Sequence, residues 1–219
     1  MFSVVERFVS INGESVRAGE LAAFIRFKGC NLSCSYCDTK WANSTTVPFE
    51  YYTADQLTSW VKDKRVRNVT LTGGEPLLQD EIDDLIERFG AQGNRVEIET
   101  NGSIPLDAYV RMQHRPTLTM DYKLPSSGME SAMRTDNFRL LEKQDAVKFV
   151  AGSVDDLNRV REVIGRFGLA ERCNVFISPV YGKIEPSEIV EFMTKHGMND
   201  VRLQLQLHKF IWNPSRRGV

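Results

Sequence analysis

Leu21-Ala22-Ala23-Phe24-Ile25-Arg26-Phe27-Lys28-Gly29-Cys30-Asn31-Leu32-Ser33-Cys34-Ser35-Tyr36-Cys37-Asp38-Thr39 is an apolar, strand-like run that breaks at a glycine into a loop with three cysteines. The C-x-x-x-C-x-x-C spacing delivers three thiolates from one short loop. That is enough to hold three corners of an iron–sulfur cube and leave the fourth iron without a protein ligand. On the residues alone, a zinc site or three unrelated thiols stay open as alternatives. Cys173 stands far from the other three and reads as a small buried apolar residue.

Runs like 21–28 recur along the chain, at 66–72, 95–100, 117–123, 146–151, 174–179 and 201–207. Most are near-continuous apolar stretches, as expected of parallel strands covered by helices. Helical runs alternate with them. Thr53 and Gln56 form a capping-box pattern that opens a helix to about Lys64. From Leu77, the residues Leu78, Ile82, Leu85, Ile86 and Phe89 share one helical face. Ser153 is a predicted N-cap, with Asp155 and Asp156 in the first turn, where they complement the helix dipole, and Gly168 closes that helix. Pro186 opens another, which ends near His196. The segment 125–128 reads as an irregular loop. The fold expected is α/β: one domain over 1–219, a partial, open parallel βα barrel whose strand ends carry the site. Six or seven units are too few to close an eight-fold barrel.

A chain with 28 basic and 29 acidic side chains gives no sign of a nucleic-acid partner, and no stretch is apolar for long enough to span a bilayer. The segment 1–7 lacks the basic start and apolar core of a secretory signal, so a reducing cytoplasmic compartment is expected.

A second signature, Thr72-Gly73-Gly74-Glu75-Pro76, ends the run at 66–72 and precedes a helix. Its glycines open the backbone to close approach, and Glu75 places a carboxylate at a rim suited to an ammonium group. Alone it is modest evidence, since a plain strand-to-helix turn reads the same way. With the cysteine loop, each at a strand end, it resembles the radical S-adenosylmethionine (SAM) enzymes. That resemblance implies a [4Fe–4S] cluster on Cys30, Cys34 and Cys37, SAM bound at the open iron, and a 5′-deoxyadenosyl radical as the reactive species.

Within that group the segments Ser10-Ile11-Asn12-Gly13-Glu14, Arg26, Asp38-Thr39 and Gln206-Leu207-His208-Lys209 are similar to those of the 7-carboxy-7-deazaguanine synthases, over almost the whole chain. The resemblance implies conversion of 6-carboxy-5,6,7,8-tetrahydropterin to 7-carboxy-7-deazaguanine with loss of ammonia, SAM being regenerated. It also implies Mg²⁺, with Thr39 as its ligand, a flavodoxin- or ferredoxin-like reductant and a homodimer. Tyr36, Cys37, Asp38, Gly74, Glu75, Glu99, Asn101, Asp121, Tyr122, Lys123, Ser178, Pro179, Val180 and Tyr181 fall to SAM. Ile11, Asn12, Gly13, Glu14, Arg26, Thr72 and His208 fall to the pterin, with Arg26 on its carboxylate and Glu14 on its guanidine-like edge. The chain departs from the family's Gln-Gly-Glu-Gly at Asn12 and Ser15, and keeps only Lys123 of a Ser-Pro-Lys. His114 and His196 read as structural, and Arg216 and Arg217 as solvated charges on a tail near the substrate. Other readings compatible with the two shared motifs are a glycyl-radical activase and a non-catalytic iron–sulfur protein.

Overall fold

Alternation along the strands decides which side of the sheet each residue serves. In the computed structural model, which describes residues 1–214 and 216–219, the strands are β1 (Phe2–Ile11), β2 (Leu21–Phe27), β3 (Glu50–Tyr52), β4 (Asn68–Gly73), β5 (Arg95–Thr100), β6 (Thr117–Tyr122), β7 (Ala146–Ala151), β8 (Asn174–Pro179) and β9 (Val201–Leu203). They form one sheet in the order β3-β1-β2-β4-β5-β6-β7-β8-β9. From β2 to β9 every neighbouring pair is parallel, giving seven parallel strands. The result is the open partial barrel expected.

Ile25, Leu71, Ile98, Met120, Phe149 and Ile177 lie on one face, all buried in a single hydrophobic core. The longer helices cover that face: α1 (Ala54–Lys64), α2 (Ile82–Ala91), α4 (Val154–Phe167) and α6 (Pro186–Lys195), with one-turn helices α3 (Asp107–Val110), α5 (Leu169–Arg172) and α7 (His208–Ile211) between or after them. Residues of opposite parity, such as Thr70, Thr72, Glu97, Thr119 and Lys148, are polar and also buried. So the strands are not uniformly apolar. One face is a core and the other is the lining of a site.

The helix ends follow their sequence signals. Thr53 and Gln56 make both bonds of the capping box, at 3.2 and 2.8 Å. Ser153 accepts the Asp156 N–H at 3.2 Å, and Gly168 closes α4 in the left-handed region at φ 60°. The helix expected from Leu77 is shorter. Pro76–Leu78 is a 3₁₀ turn, Glu81 breaks the chain at φ 61°, and α2 begins at Ile82, which leaves Leu78 exposed. The strand expected at 66–72 starts two residues late, because Arg65 caps α1 in the left-handed region and Asn94 ties down the Val66 and Arg67 carbonyls. The strand expected at 201–207 stops at Leu203, where the Gln204 side chain turns away to bond Ser15.

Sequence reading omits β1 and β3. The charges Glu6 and Arg7 interrupt the apolar pattern of β1, and the structure explains both. A register shift between Val4 and Glu6 flips the strand's parity. Phe2 and Val4 therefore face the core, whereas Glu6 pairs across the ladder with Arg26 at 2.8 Å. Arg7 lies half-buried, its guanidinium 4.3 Å from the Tyr52 ring and 5.2 Å from the Trp60 ring.

Candidate active site

The polar face and the strand-end loops enclose a cavity of about 810 Å³. Cys30, Cys34 and Cys37 all line it, and all four cysteines of the chain are free thiols. Cys173 is buried in the core, its thiol pushed up to about 11 by burial.

The cysteine loop is held by its neighbours. Ser35 donates its hydroxyl to the Ser126 carbonyl at 2.7 Å and its N–H to Ser127 at 3.0 Å. The segment 125–128 is therefore an anchor, a 3₁₀ turn closed by Gly128 in the left-handed region. Buried Asp156 secures it in turn, accepting N–H groups from Ser126 at 3.1 Å and Gly152 at 2.8 Å.

The glycines at the end of β4 serve chain packing. Gly73 sits at φ 139°, and a Cβ there would meet the Phe27 backbone; a Cβ on Gly74 would overlap the Gly29 carbonyl. The Glu75 N–H donates to that carbonyl at 2.8 Å. The turn thus clasps the first residues of the cysteine loop, the closest approach that only glycine permits. Glu75 does not line the cavity. Its side chain is fully buried and accepts from the Leu77 N–H at 3.0 Å, the Thr100 hydroxyl at 2.9 Å and the Asn101 N–H at 2.6 Å. Burial pushes its carboxyl up to about 7 against those donors. Asn101 does face the cavity, and its Nδ2 reaches Asn31 Oδ1 at 3.0 Å and Cys30 Sγ at 3.6 Å.

Most of the expected site residues meet in this one cavity: Ile11, Gly13, Glu14, Arg26, Tyr36, Asp38, Thr39, Thr72, Gly74, Glu99, Asn101, Asp121, Lys123, Pro179, Val180, Tyr181 and His208. Thr39 precedes a 3₁₀ turn at Lys40–Asn43, yet its hydroxyl makes no capping bond and lies 3.5 Å from the Gly73 carbonyl. His208 packs on Gly13, where a Cβ would crowd its Nδ1, and burial lowers its pKa. Arg217 of the tail sets its guanidinium 4.0 Å from the Trp41 ring, at the wall of the cavity.

Other expected residues lie elsewhere. Tyr122 has the wrong parity: it packs on Phe138 and Phe149, and its hydroxyl donates to Glu130 at 2.9 Å. Asn12 is buried behind the lining, where its Oδ1 accepts the Thr70 hydroxyl at 2.8 Å. Ser178 is buried as well, and its hydroxyl reaches Glu14 at 3.2 Å. His114 bonds Glu87 at 2.6 Å, and His196 packs on Phe192, both outside the cavity.

Sequence reading gave Gln206 no role of its own and missed Lys148, Asn43 and the stacked pair Phe8 and Phe24, whose ring centroids are 4.9 Å apart; all lie on the cavity wall. The signal for Lys148 was a lone charge in an apolar strand, as Arg26 is in β2. Burial works against its charge, but Glu14, Asp121, Glu99 and Asp38 surround it and hold it above the usual lysine range. Lys123 is likewise raised despite burial, with Asp121 at 2.8 Å.

These residues suit an iron–sulfur cluster and a sizeable organic cofactor. Three free thiols open on a cavity of ligand size, and buried Asp121 Oδ1 has no hydrogen-bond partner among the described residues. Comparison with known proteins agrees. The sequence profile of the Radical SAM superfamily matches residues 24–176. The 7-carboxy-7-deazaguanine synthase of Clostridium acetobutylicum is 52% identical, over 100% of this chain and 99% of its own. The enzyme of the same name from Chlorobaculum tepidum is 37% identical, over 99% and 97%. Among solved structures, QueE from Escherichia coli is similar with a TM-score of 0.73 at 22% identity, covering 94% of this chain and 93% of that one. Streptococcus suis SuiB bound to S-adenosylmethionine gives 0.57 at 14% identity, covering 83% and 51%. At these identities the structures show a shared fold. Among the described residues no helix is long and apolar enough to cross a membrane.

Proposed function

Because the chain belongs to the radical SAM superfamily and, within it, to the 7-carboxy-7-deazaguanine synthases, we propose that its cavity performs that family's reaction with the residue roles that follow. The protein is a lyase that converts 6-carboxy-5,6,7,8-tetrahydropterin to 7-carboxy-7-deazaguanine with loss of ammonia, in deazapurine and queuosine biosynthesis. When bound, the [4Fe–4S] cluster and SAM would supply the radical chemistry needed at C6 of the pterin. The observation that carries this reading is that the three free cysteines share one cavity with Glu14, Arg26 and His208.

Cys30, Cys34 and Cys37 would hold the cluster. Tyr36, Asp38, Gly74, Glu99, Asn101, Asp121, Lys123, Pro179, Val180 and Tyr181 wall the SAM side. Ile11, Gly13, Glu14, Arg26, Thr72 and His208 wall the pterin side. Glu75, Asn12 and Ser178 act from behind: Glu75 fixes Asn101, Asn12 fixes the loop through Thr70, and Ser178 fixes Glu14. Arg26 offers its guanidinium to the substrate carboxylate while Glu6 steadies it. Thr39 would bind Mg²⁺ through a hydroxyl not spent on capping, with substrate and water completing the shell. The reductant would be a flavodoxin- or ferredoxin-like protein, the active form a homodimer, and 1–219 one catalytic domain.

The test is anaerobic incubation of reconstituted protein with SAM, dithionite, Mg²⁺ and the carboxypterin, read by mass spectrometry. Deazaguanine supports the synthase. Deoxyadenosine without deazaguanine assigns the chain to another radical reaction, and neither product removes the catalytic reading.

A further inference from the structure

Lys148 is the one charged residue of β7, whose sequence is Ala146-Val147-Lys148-Phe149-Val150-Ala151. Val147 and Phe149 enter the core, so strand alternation turns Lys148 and Val150 into the cavity. The lysine is 9% exposed. Its Nζ lies 3.2 Å from Glu14 Oε2 and 3.8 Å from Asp121 Oδ2.

Those two carboxylates belong to different parts of the site. Glu14 sits on the loop before β2, among the residues placed on the pterin side. Asp121 sits near the end of β6, paired with Lys123 on the SAM side. Glu14 is also bonded by Gln206 Nε2 at 2.9 Å and by the Ser178 hydroxyl at 3.2 Å, both neutral donors. Among the described residues, Lys148 is the charged group that touches both carboxylates.

A buried ion pair gains little stability over an apolar pair of similar volume, because desolvation offsets the attraction. What such a pair does supply is a fixed geometry between charged groups. We propose that Lys148 is a positioning residue that sets the distance and angle between Glu14 on the substrate side and Asp121 on the cofactor side, and so presents the pterin to the cofactor in one pose. The proposal rests on the functional reading above. Without the ammonium, Glu14 would keep only neutral donors and Asp121 only Lys123, so no cation would tie the two sides together. The held-up charge of Lys148, sustained by Glu14 and Asp121 against burial, agrees with this role.

The test compares wild type with Lys148→Met, Lys148→Arg, Glu14→Gln and the Glu14→Gln/Lys148→Met pair. Pterin affinity is read by fluorescence titration without SAM, and coupling by the ratio of deazaguanine to deoxyadenosine at saturating pterin. Lys148→Met should keep cluster absorbance and SAM affinity, weaken pterin binding about tenfold or more, and cut the coupling ratio by about 100-fold. Lys148→Arg should recover much of both. In the Glu14→Gln background, Lys148→Met should change pterin affinity by less than about twofold, since the two act as a unit. Wild-type affinity and wild-type coupling in Lys148→Met would overturn the proposal, as would a loss confined to thermal stability. A wild-type protein that binds the pterin but makes no deazaguanine would sink the functional reading instead, and the titration would still decide the role of Lys148.

Discussion

The Asn101 backbone N–H donates to the buried Glu75 carboxylate at 2.6 Å, and the Asn101 side chain reaches on to Asn31 at 3.0 Å and Cys30 at 3.6 Å. A carboxylate with no exposure to solvent thus sets where the first cysteine stands. The glycine turn, the end of β5 and the cysteine loop are one assembly.

This assembly titrates. Burial raises the Glu75 carboxyl from its usual 4.5 to about 7, so the folded chain favours the protonated form. The associated stability is fully present below about pH 4.5 and is lost as pH rises towards 7. A shift of this size corresponds to about 3 kcal/mol. Urea unfolding of wild type and Glu75→Gln at pH 4.5 and 7.5 checks it: wild type should lose more stability over that interval than the variant. Equal losses would refute the titration.

Gly74→Ala places a methyl on the Gly29 carbonyl, and backbone there cannot yield as a flexible side chain would. Overpacking should cost about 1–3 kcal/mol and move the cysteine loop. The expected result is a lower thermal midpoint together with poor iron incorporation on reconstitution. Normal iron content would show that the loop tolerates the shift.

The four cysteines should separate cleanly by iron analysis and visible absorbance. Cys34→Ala should abolish the cluster and all turnover. Cys173→Ala should retain both and lose about 1 kcal/mol of stability from a small core cavity, because Cys173 packs among β-sheet and helix residues far from the loop in sequence. A cluster that survives in Cys34→Ala would break the ligand assignment.

Thr39→Ala should leave the cluster spectrum intact and raise the Mg²⁺ concentration for half-maximal turnover about tenfold, a typical cost of losing a contact at a metal site. Its hydroxyl makes no capping bond, so helix stability should not change. An unchanged magnesium titration would remove Thr39 from that role.

Seven parallel strands were legible because each carries a short apolar run. The helix caps at Thr53, Ser153 and Gly168, and the helix start at Pro186, were legible because these end signals are local chemistry. β1 was not, since its charges make sense only once Arg26 across the ladder and the Tyr52 ring are in place. The cysteine and glycine motifs pointed to strand ends that line one cavity, but the packing duty of the glycines was not legible: Gly74, besides lining that cavity, makes room for the Gly29 carbonyl. Tyr122 was assigned with the whole segment Asp121-Tyr122-Lys123 by family resemblance, whereas strand parity sends it to the opposite face. Lys148 escaped notice because its partners, Glu14 and Asp121, are remote from it in sequence and come together only through the sheet.

The two faces of the sheet also differ in what can complete them. The helix side is filled by the chain's own side chains, while the opposite side is a bowl of carboxylates, hydroxyls and ammonium groups around 810 Å³. Molecules that fit this bowl serve as removable packing, so the enzyme's resistance to heat becomes a function of cofactor and substrate concentration by mass action. Loading it should raise the melting temperature in steps, and starving the cell of either small molecule would shorten the lifetime of the protein itself.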